Sequence, residues 1–227
     1  MKTVVYSANI GGYDNFNKPV VYDENVRYIL FTDNKYIKSD VWEICHTDSL
    51  NTRFDSRKLA RYIKVNPHIV LPKHDVSIWI DHCFTPRFKD SNELFKNISF
   101  TTDKNIMIFP HSWRKCIYTE SKEVLRQRLD STDVVESQML RYREEGFPDN
   151  FGLFETGFMV RRNNDKVNEF NTVWWNEINN GSCRDQLSNM YASWKTSLEV
   201  SPIKYGTSTY KNLFLLPKTK HNIKLTF

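Results

Sequence analysis

Val76-Ser77-Ile78-Trp79-Ile80-Asp81-His82-Cys83-Phe84 is the stretch from which the rest of the chain can be ordered. Four of the five residues before Asp81 are apolar or β-branched (Val76, Ile78, Trp79, Ile80). So short a run without alternation predicts a strand buried on both faces. Asp81 ends it. A carboxylate at the carboxyl end of a central strand stands where open α/β sheets bind ligands. Taken alone, it could equally cap the following turn, and the flanking sequence has to decide.

Working outward, Thr3–Ser7 reads as a first strand, followed by Ala8-Asn9-Ile10-Gly11-Gly12-Tyr13-Asp14-Asn15. Two glycines there let the backbone take positive φ and approach a ligand closely. Their spacing is not that of the dinucleotide fingerprint. Arg27–Asp33 is a second strand with a polar end at Thr32-Asp33, and Val41–Ile44 a short third. Further strands are predicted at Asn105–Pro110, within Asn150–Arg161, and at Val200–Tyr205.

Helical periodicity runs from Asp55, a good N-cap, to Asn66, with Pro67 as the stop. Leu59, Tyr62 and Ile63 share one face. Arg57, Arg61 and Lys64 share the other, where Lys64 is expected to meet solvent. Arg57 and Lys58 sit in the first turn, against the helix dipole, and a bound phosphate would explain them. Asp133 and Glu136 form a capping-box pattern for a helix through Tyr142. Val167, Phe170, Trp174 and Ile178 mark another helix, broken at Asn180-Gly181. Ser182-Cys183-Arg184-Asp185-Gln186 opens the next; Asp185, three residues after Ser182, could be only its capping-box partner, but that would not explain Arg184 and Gln186 beside it. Strands alternating with helices predict the α/β class: a single Rossmann-like domain with a mostly parallel central sheet flanked by helices.

Composition bounds the partners. The 227 residues fit one large domain, and 40% hydrophobic with 14% aromatic residues supply a full core. A net charge of +5 suits anionic ligands, but 27 acidic residues dilute it, so no nucleic acid is expected. The densest basic piece is a tail from about 206, with Lys211, Lys218, Lys220, His221 and Lys224. No stretch approaches a membrane span and the N-terminus lacks a signal-peptide pattern, so the expected location is cytoplasmic, with at most peripheral membrane contact. Four cysteines without a C-x-x-C pair argue against structural zinc.

Polar residues gather after the strands: Asn9, Asp14, Asp33, Asp81, His111 and Glu155. Glu155 lies in an apolar run, where a carboxylate is costly unless paired or functional. His111, Arg114 and Glu120 are candidate ligand or metal groups, although a lone histidine is more often structural.

Several pieces, in this order, carry a resemblance. They are Ser7–Asp14, Phe31-Thr32-Asp33, Arg57-Lys58 with Pro67-His68, Trp79-Ile80-Asp81, His111 with Arg114, Gly152-Leu153-Phe154-Glu155, and Arg184-Asp185-Gln186. With them the chain, from about Val4 to Tyr205, resembles the GT-A type nucleotide-sugar glycosyltransferases. More closely, it resembles a family of glycosyltransferase-like proteins of plants and bacteria. The resemblance implies transfer of a sugar from a nucleoside-diphosphate sugar to a glycan or other hydroxyl acceptor, in polysaccharide biosynthesis at the cytoplasmic side. It implies that Ala8, Asn9, Gly11, Asp14 and Asp33 hold base and ribose, and that Arg57, Lys58 or Arg61 meets the diphosphate. Asp81 would tie the nucleotide to a divalent metal, Mn²⁺ or Mg²⁺. The chain departs from the family's Asp-x-Asp motif, because Cys83 replaces the second Asp and is a poor ligand for a hard ion. Either His111 or Glu120 completes the metal site, or cations, Arg114 among them, offset the diphosphate charge. Asp185 and Glu155, with Arg184 and Gln186 beside them, are the catalytic candidates, and Trp113, Trp174 or Trp175 could stack on a sugar. The rivals are a catalytically silent sugar-nucleotide or glycan-binding module, a nucleotidyltransferase and a nucleic-acid binder. A nucleotidyltransferase would carry an arginine in its Gly-rich first loop, which Ala8–Asp14 lacks.

Overall fold

A computed structural model describes residues 1–19, 21–50, 53–204 and 214–215. In chain order the elements are β1 (Thr3–Asn9), β2 (Arg27–Thr32), β3 (Glu43–His46), a 3₁₀ turn (Thr47–Leu50), α1 (Ser56–Val65), α2 (Pro67–Val70), β4 (Val76–Ile80) and β5 (Thr85–Pro86). They continue with α3 (Ser91–Asn97), β6 (Ile106–Pro110), α4 (Ile117–Arg126), α5 (Thr132–Glu144), β7 (Phe154–Arg162), α6 (Asp165–Asn180), α7 (Gln186–Thr196), β8 (Val200–Pro202) and β9 (Phe214–Leu215).

Seven strands form one sheet in the order β3-β2-β1-β4-β7-β6-β8. β7 runs antiparallel to both its neighbours, and the remaining pairs are parallel. The fold is therefore α/β with a mostly parallel sheet. β4 is central and buried along its whole length, as its unbroken apolar run requires. Its two faces feed two cores. Trp79 joins Tyr6, Ile108 and Met159 beneath α1, α6 and α7. Ile78 and Ile80 join Val5, Val160 and Phe158 against Leu94 and Phe95 of α3. The carboxyl ends of β1, β2 and β4 fall at one edge, so the loops after them share one rim.

Several boundaries differ from the sequence pattern. Pro67 does not end helical structure; it takes the first position of α2, where its missing N–H is not needed. α5 starts at Thr132 with Ser131 at the cap position and no side-chain cap hydrogen bond, so the Asp133/Glu136 box does not form. α7 begins at Gln186, later than Ser182. α3, capped by Asp90, and α4 were not expected from the sequence, although α4 buries Ile117, Tyr118, Ser121 and Val124 at helical spacing. The last strand of the seven-stranded sheet ends at Pro202; Tyr205 and, apart from Phe214–Leu215, the basic tail lie outside the described residues.

Candidate active site

The rim holds a pocket of about 530 Å³. Its wall is built from the loop after β1, the first and last turns of α1, the end of β4, the start of β7 and the turn into α7.

The β1 loop takes its shape from its own polar groups. Gly11 and Gly12 both have φ near +65°, a region that costs other residues strain. A Cβ on Gly11 would stand 3.1 Å from Ser56 Oγ, so the loop lies tight on the start of α1. The Gly11 amide donates to Asp33 Oδ2 at 2.8 Å. Asn9 closes the turn by donating to the Asp14 carbonyl at 2.9 Å. Ala8, Asn9, Gly11 and Asp14 line the pocket; Asp33 lies behind, holding the loop.

α1 is capped as its sequence indicates, with Asp55 Oδ1 accepting the Lys58 amide at 2.8 Å. Its cations separate. Arg57 and Arg61 reach the pocket wall, Arg57 also donating to the Leu129 carbonyl at 3.0 Å. Lys58 turns away and donates to the Asn179 carbonyl at 3.0 Å, outside the pocket lining. Lys64 is the main correction: it is 1% exposed rather than solvated. Its carbonyl is clamped by the Tyr6 hydroxyl and by Arg161, each at 2.6 Å, which fixes the last turn of α1. Arg161 is itself wholly buried and runs from β7 back to Tyr6, Lys64 and Asn171. The Lys64 ammonium is thereby aimed into the rim. It lies 2.6 Å from Asp185 Oδ2, 3.2 Å from Asp81 Oδ1 and 3.2 Å from Thr156 Oγ1.

Asp81 is held in turn. The Trp79 indole N–H donates to its Oδ1 at 2.7 Å, and its own amide donates to the Gly157 carbonyl at 2.8 Å. Gly157 has no room for a side chain, since a Cβ would stand 2.7 Å from the Phe84 ring and 3.2 Å from Asp81 Oδ2. A bulge explains how β7 enters the pocket: β6 pairs Ile108 with Met159 but Phe109 with Glu155. Residues 156–158 lie between, and bulges characteristically redirect side chains beside functional sites. Glu155, Thr156, Gly157 and Phe158 all line the pocket. Glu155 Oε1 accepts from the Ser112 hydroxyl at 2.8 Å and its amide at 3.2 Å.

Asp185 is not a capping-box partner. Ser182 Oγ instead accepts the Arg184 amide and donates to Asp130, while the Asp185 side chain turns inward. Thr156 Oγ1 donates to its Oδ2 at 2.9 Å, and the buried Trp174 donates its indole N–H to the Asp185 carbonyl at 3.0 Å. Burial alone would raise the Asp185 carboxyl, but Lys64 and then Arg61 outweigh it and hold it well below the usual carboxylate range. Burial likewise works against the Arg61 guanidinium, and Asp185 and Asp81 more than restore it. Arg184, half-buried beside Arg61, is lowered by burial first and by that neighbour second. Gln186 lines the pocket and donates its amide to the Phe154 carbonyl at 3.0 Å.

His111 and its neighbours are used elsewhere. His111 Nδ1 accepts the amides of Trp113 at 3.2 Å and Arg114 at 3.1 Å, and Arg114 pairs with the buried Glu120. These groups shape the turn after β6 and stand outside the pocket lining. Trp174 is core, Trp175 packs edge-on against Phe54 and Tyr62, and Trp113 is 73% exposed.

The residues do not fit a divalent ion. Among the described residues no three His, Cys, Asp or Glu side chains cluster closely enough to hold one. His111, expected beside Asp81, is spent on its turn. Burial, then Asp81 and Asp14, push the Cys83 thiol up and keep it neutral. An ammonium already stands between Asp81 and Asp185.

Sequence reasoning missed Thr156 and the inward aim of Lys64, and it did not single out His82. The buried His82 Nε2 accepts the Asn17 amide at 3.1 Å, and burial lowers its pKa to about 4. The one signal for Lys64 was its place between Ile63 and Val65.

No curated protein matches the chain in sequence. Among solved structures it is similar to apo mouse xyloside xylosyltransferase 1, at 11% identity and TM-score 0.45 over 89% of this chain and 84% of that one. It is also similar to the galactosyltransferase LgtC in complex with donor and acceptor sugar analogues, at 9% identity and TM-score 0.42 over 83% and 70%. No helix among the described residues is long and apolar enough to cross a membrane. A family model, that of the TOD1/MUCI70 glycosyltransferase-like domain, matches residues 1–218, and the chain belongs to that family.

Proposed function

We propose that the chain is a GT-A type glycosyltransferase that takes a sugar from a nucleoside-diphosphate sugar held in the rim pocket and passes it to a hydroxyl acceptor. One observation carries this reading: the β1 loop, Asp81, three arginines and the Asp185-Gln186 pair, scattered from residue 8 to residue 186, line one cavity at the carboxyl edge of the sheet. That is where open α/β sheets hold nucleotides. The base and ribose lie along the Ala8–Asp14 loop, with Asp33 fixing the loop from behind. Arg57, Arg61 and Arg184 face the diphosphate; Lys58, turned toward Asn179, has no part in this.

In the reaction the bond from the anomeric carbon to the diphosphate oxygen breaks. The acceptor oxygen bonds to that carbon, and the acceptor proton passes to a base. Asp185 is too weak a base for that proton, because Lys64 and Arg61 favour its ionised form. It suits stabilising positive charge at the anomeric centre. Glu155, held by Ser112 at the pocket wall, is the carboxylate we assign to the acceptor proton.

The test is release of nucleoside diphosphate from a panel of nucleotide sugars. The wild-type chain should turn over at least one donor, and Asp81→Ala should lower that rate by roughly 10²-fold or more while circular dichroism stays unchanged. Equal turnover in the variant would sink the site assignment. Nucleotide binding without turnover of any donor would instead identify a silent sugar-nucleotide-binding module.

A further inference from the structure

We infer that the donor site works without a divalent metal because Lys64 occupies the place of the ion. The inference rests on the donor reading above for what the site serves, but its evidence is the charge arrangement alone. The Lys64 ammonium bridges Asp81 and Asp185 at 3.2 and 2.6 Å, with Thr156 Oγ1 at 3.2 Å as a further partner. Its side chain is 2% exposed, and its backbone is pinned by Tyr6 and Arg161. This is a built position rather than a surface lysine that happens to fall near two acids.

Three further observations agree. A divalent ion between Asp81 and Asp185 would have to displace a buried ammonium or sit a few ångströms from it, and like charges that close repel strongly in a poorly solvated site. The pocket lining balances without an ion: Asp14, Asp81, Glu155 and Asp185 are matched by Arg57, Arg61, Lys64 and Arg184. A carboxylate cage for Mn²⁺ or Mg²⁺ is ordinarily left with net negative charge until the ion arrives. Finally, the residue two beyond Asp81 is Cys83, a soft donor on a hard-ion site.

Lys64 is thus a positioning residue. It fixes both carboxylates and closes the gap between them, leaving Arg57, Arg61 and Arg184 to meet the leaving diphosphate. The pocket should therefore accept a nucleoside diphosphate as the bare anion rather than as its metal complex.

The experiment titrates Mn²⁺ alone into the full chain and follows the free ion by electron paramagnetic resonance. The variants are Lys64→Ala, Lys64→Ala with Asp81→Asn, and Asp81→Asn. Wild type should show no saturable binding that depends on Asp81. Lys64→Ala should bind Mn²⁺ at least about tenfold more tightly than wild type, as expected when a cation a few ångströms away is removed, and the double variant should lose that gain. Saturable Mn²⁺ binding by wild type that Asp81→Asn abolishes would overturn the inference. So would a folded Lys64→Ala chain as indifferent to Mn²⁺ as wild type. Should Lys64→Ala fail to fold, the comparison of wild type with Asp81→Asn decides alone. A parallel thermal-shift panel of nucleoside diphosphates should give equal shifts in Mn²⁺ and in EDTA, and shifts seen only with Mn²⁺ would also overturn it. Absence of any nucleotide shift would count against the transferase reading and leave the Mn²⁺ result standing.

Discussion

The Lys64–Asp81–Asp185 cluster and the His111–Arg114–Glu120 cluster each hold a buried carboxylate against a cation, but they are assembled differently. The second spans ten residues of chain and forms the turn between β6 and α4. The first joins α1, β4 and the start of α7 across more than a hundred residues, and it opens on a cavity. A local cluster satisfies groups that a turn must place somewhere. A long-range cluster needs several elements to converge on charges that cost several kcal/mol each to desolvate. Where such convergence falls at the ligand edge of a sheet, function is the better account of it. Buried charge by itself separates the two poorly; Glu120 is as buried as Asp185.

The largest effect that could break this contrast is at Lys64. Lys64→Met should destabilise the fold by about 3–5 kcal/mol, because it leaves Asp185 buried without its closest cation. Adding Asp185→Leu should recover most of that loss in urea unfolding, while donor turnover, which needs the Asp185 carboxylate, should be lost in the double variant. If Lys64→Met alone unfolds at the wild-type midpoint, the cluster is not held as described.

His82 lines the pocket beside Asp81 and gives a pH test of the same region. Its folded pKa of about 4 lies below the ordinary value of 6.5, so the unfolded chain takes up a proton first. The neutral ring's contribution is whole above pH 6.5 and is lost as pH falls toward 4, by about 3 kcal/mol at 1.36 kcal/mol per unit. Urea midpoints between pH 7 and 4.5 should show that slope in wild type, and His82→Gln should flatten it. Asp185 acts in the same direction but lower. Its depressed carboxyl contributes fully above the ordinary carboxylate value, and the contribution fades only as pH drops below that value.

Arg114→Ala probes the local cluster. Loss of its partner should cost Glu120 about 1–3 kcal/mol, while nucleotide binding should stay within about tenfold, since Arg114 stands outside the pocket lining and Glu120, left unpaired, acts on that lining through its charge near Arg184. A collapse of nucleotide affinity in this variant would erase the distinction between the two clusters. Smallest of all, Gly11→Ala should cost about 1 kcal/mol through its φ of +68° and its contact with Ser56. It should weaken nucleotide binding more than it weakens the fold, as thermal shifts with and without nucleotide would show.

Local residue pattern was enough for the strand ending at Asp81, the polar edge of the sheet and the α/β class. Those rest on unbroken apolar runs and on Gly, Asp and Pro punctuation, all of which are local. It also marked Gly11, Asp14, Arg61, Glu155 and Asp185, which the structure brings together around one pocket. Local pattern could not distinguish a lysine whose last methylenes run into a core from one reaching into water; Lys64 falls on the polar face of α1 by periodicity alone. Only its distance to Asp185, 121 residues later in the chain, decides that it is buried. The same holds for Lys58, claimed by the carbonyl end of α6, and for His111, claimed by its own turn. Period and propensity are set within a few residues, whereas the pairing of charges is set by which strands and helices become neighbours. The pocket's chemistry was therefore a tertiary decision.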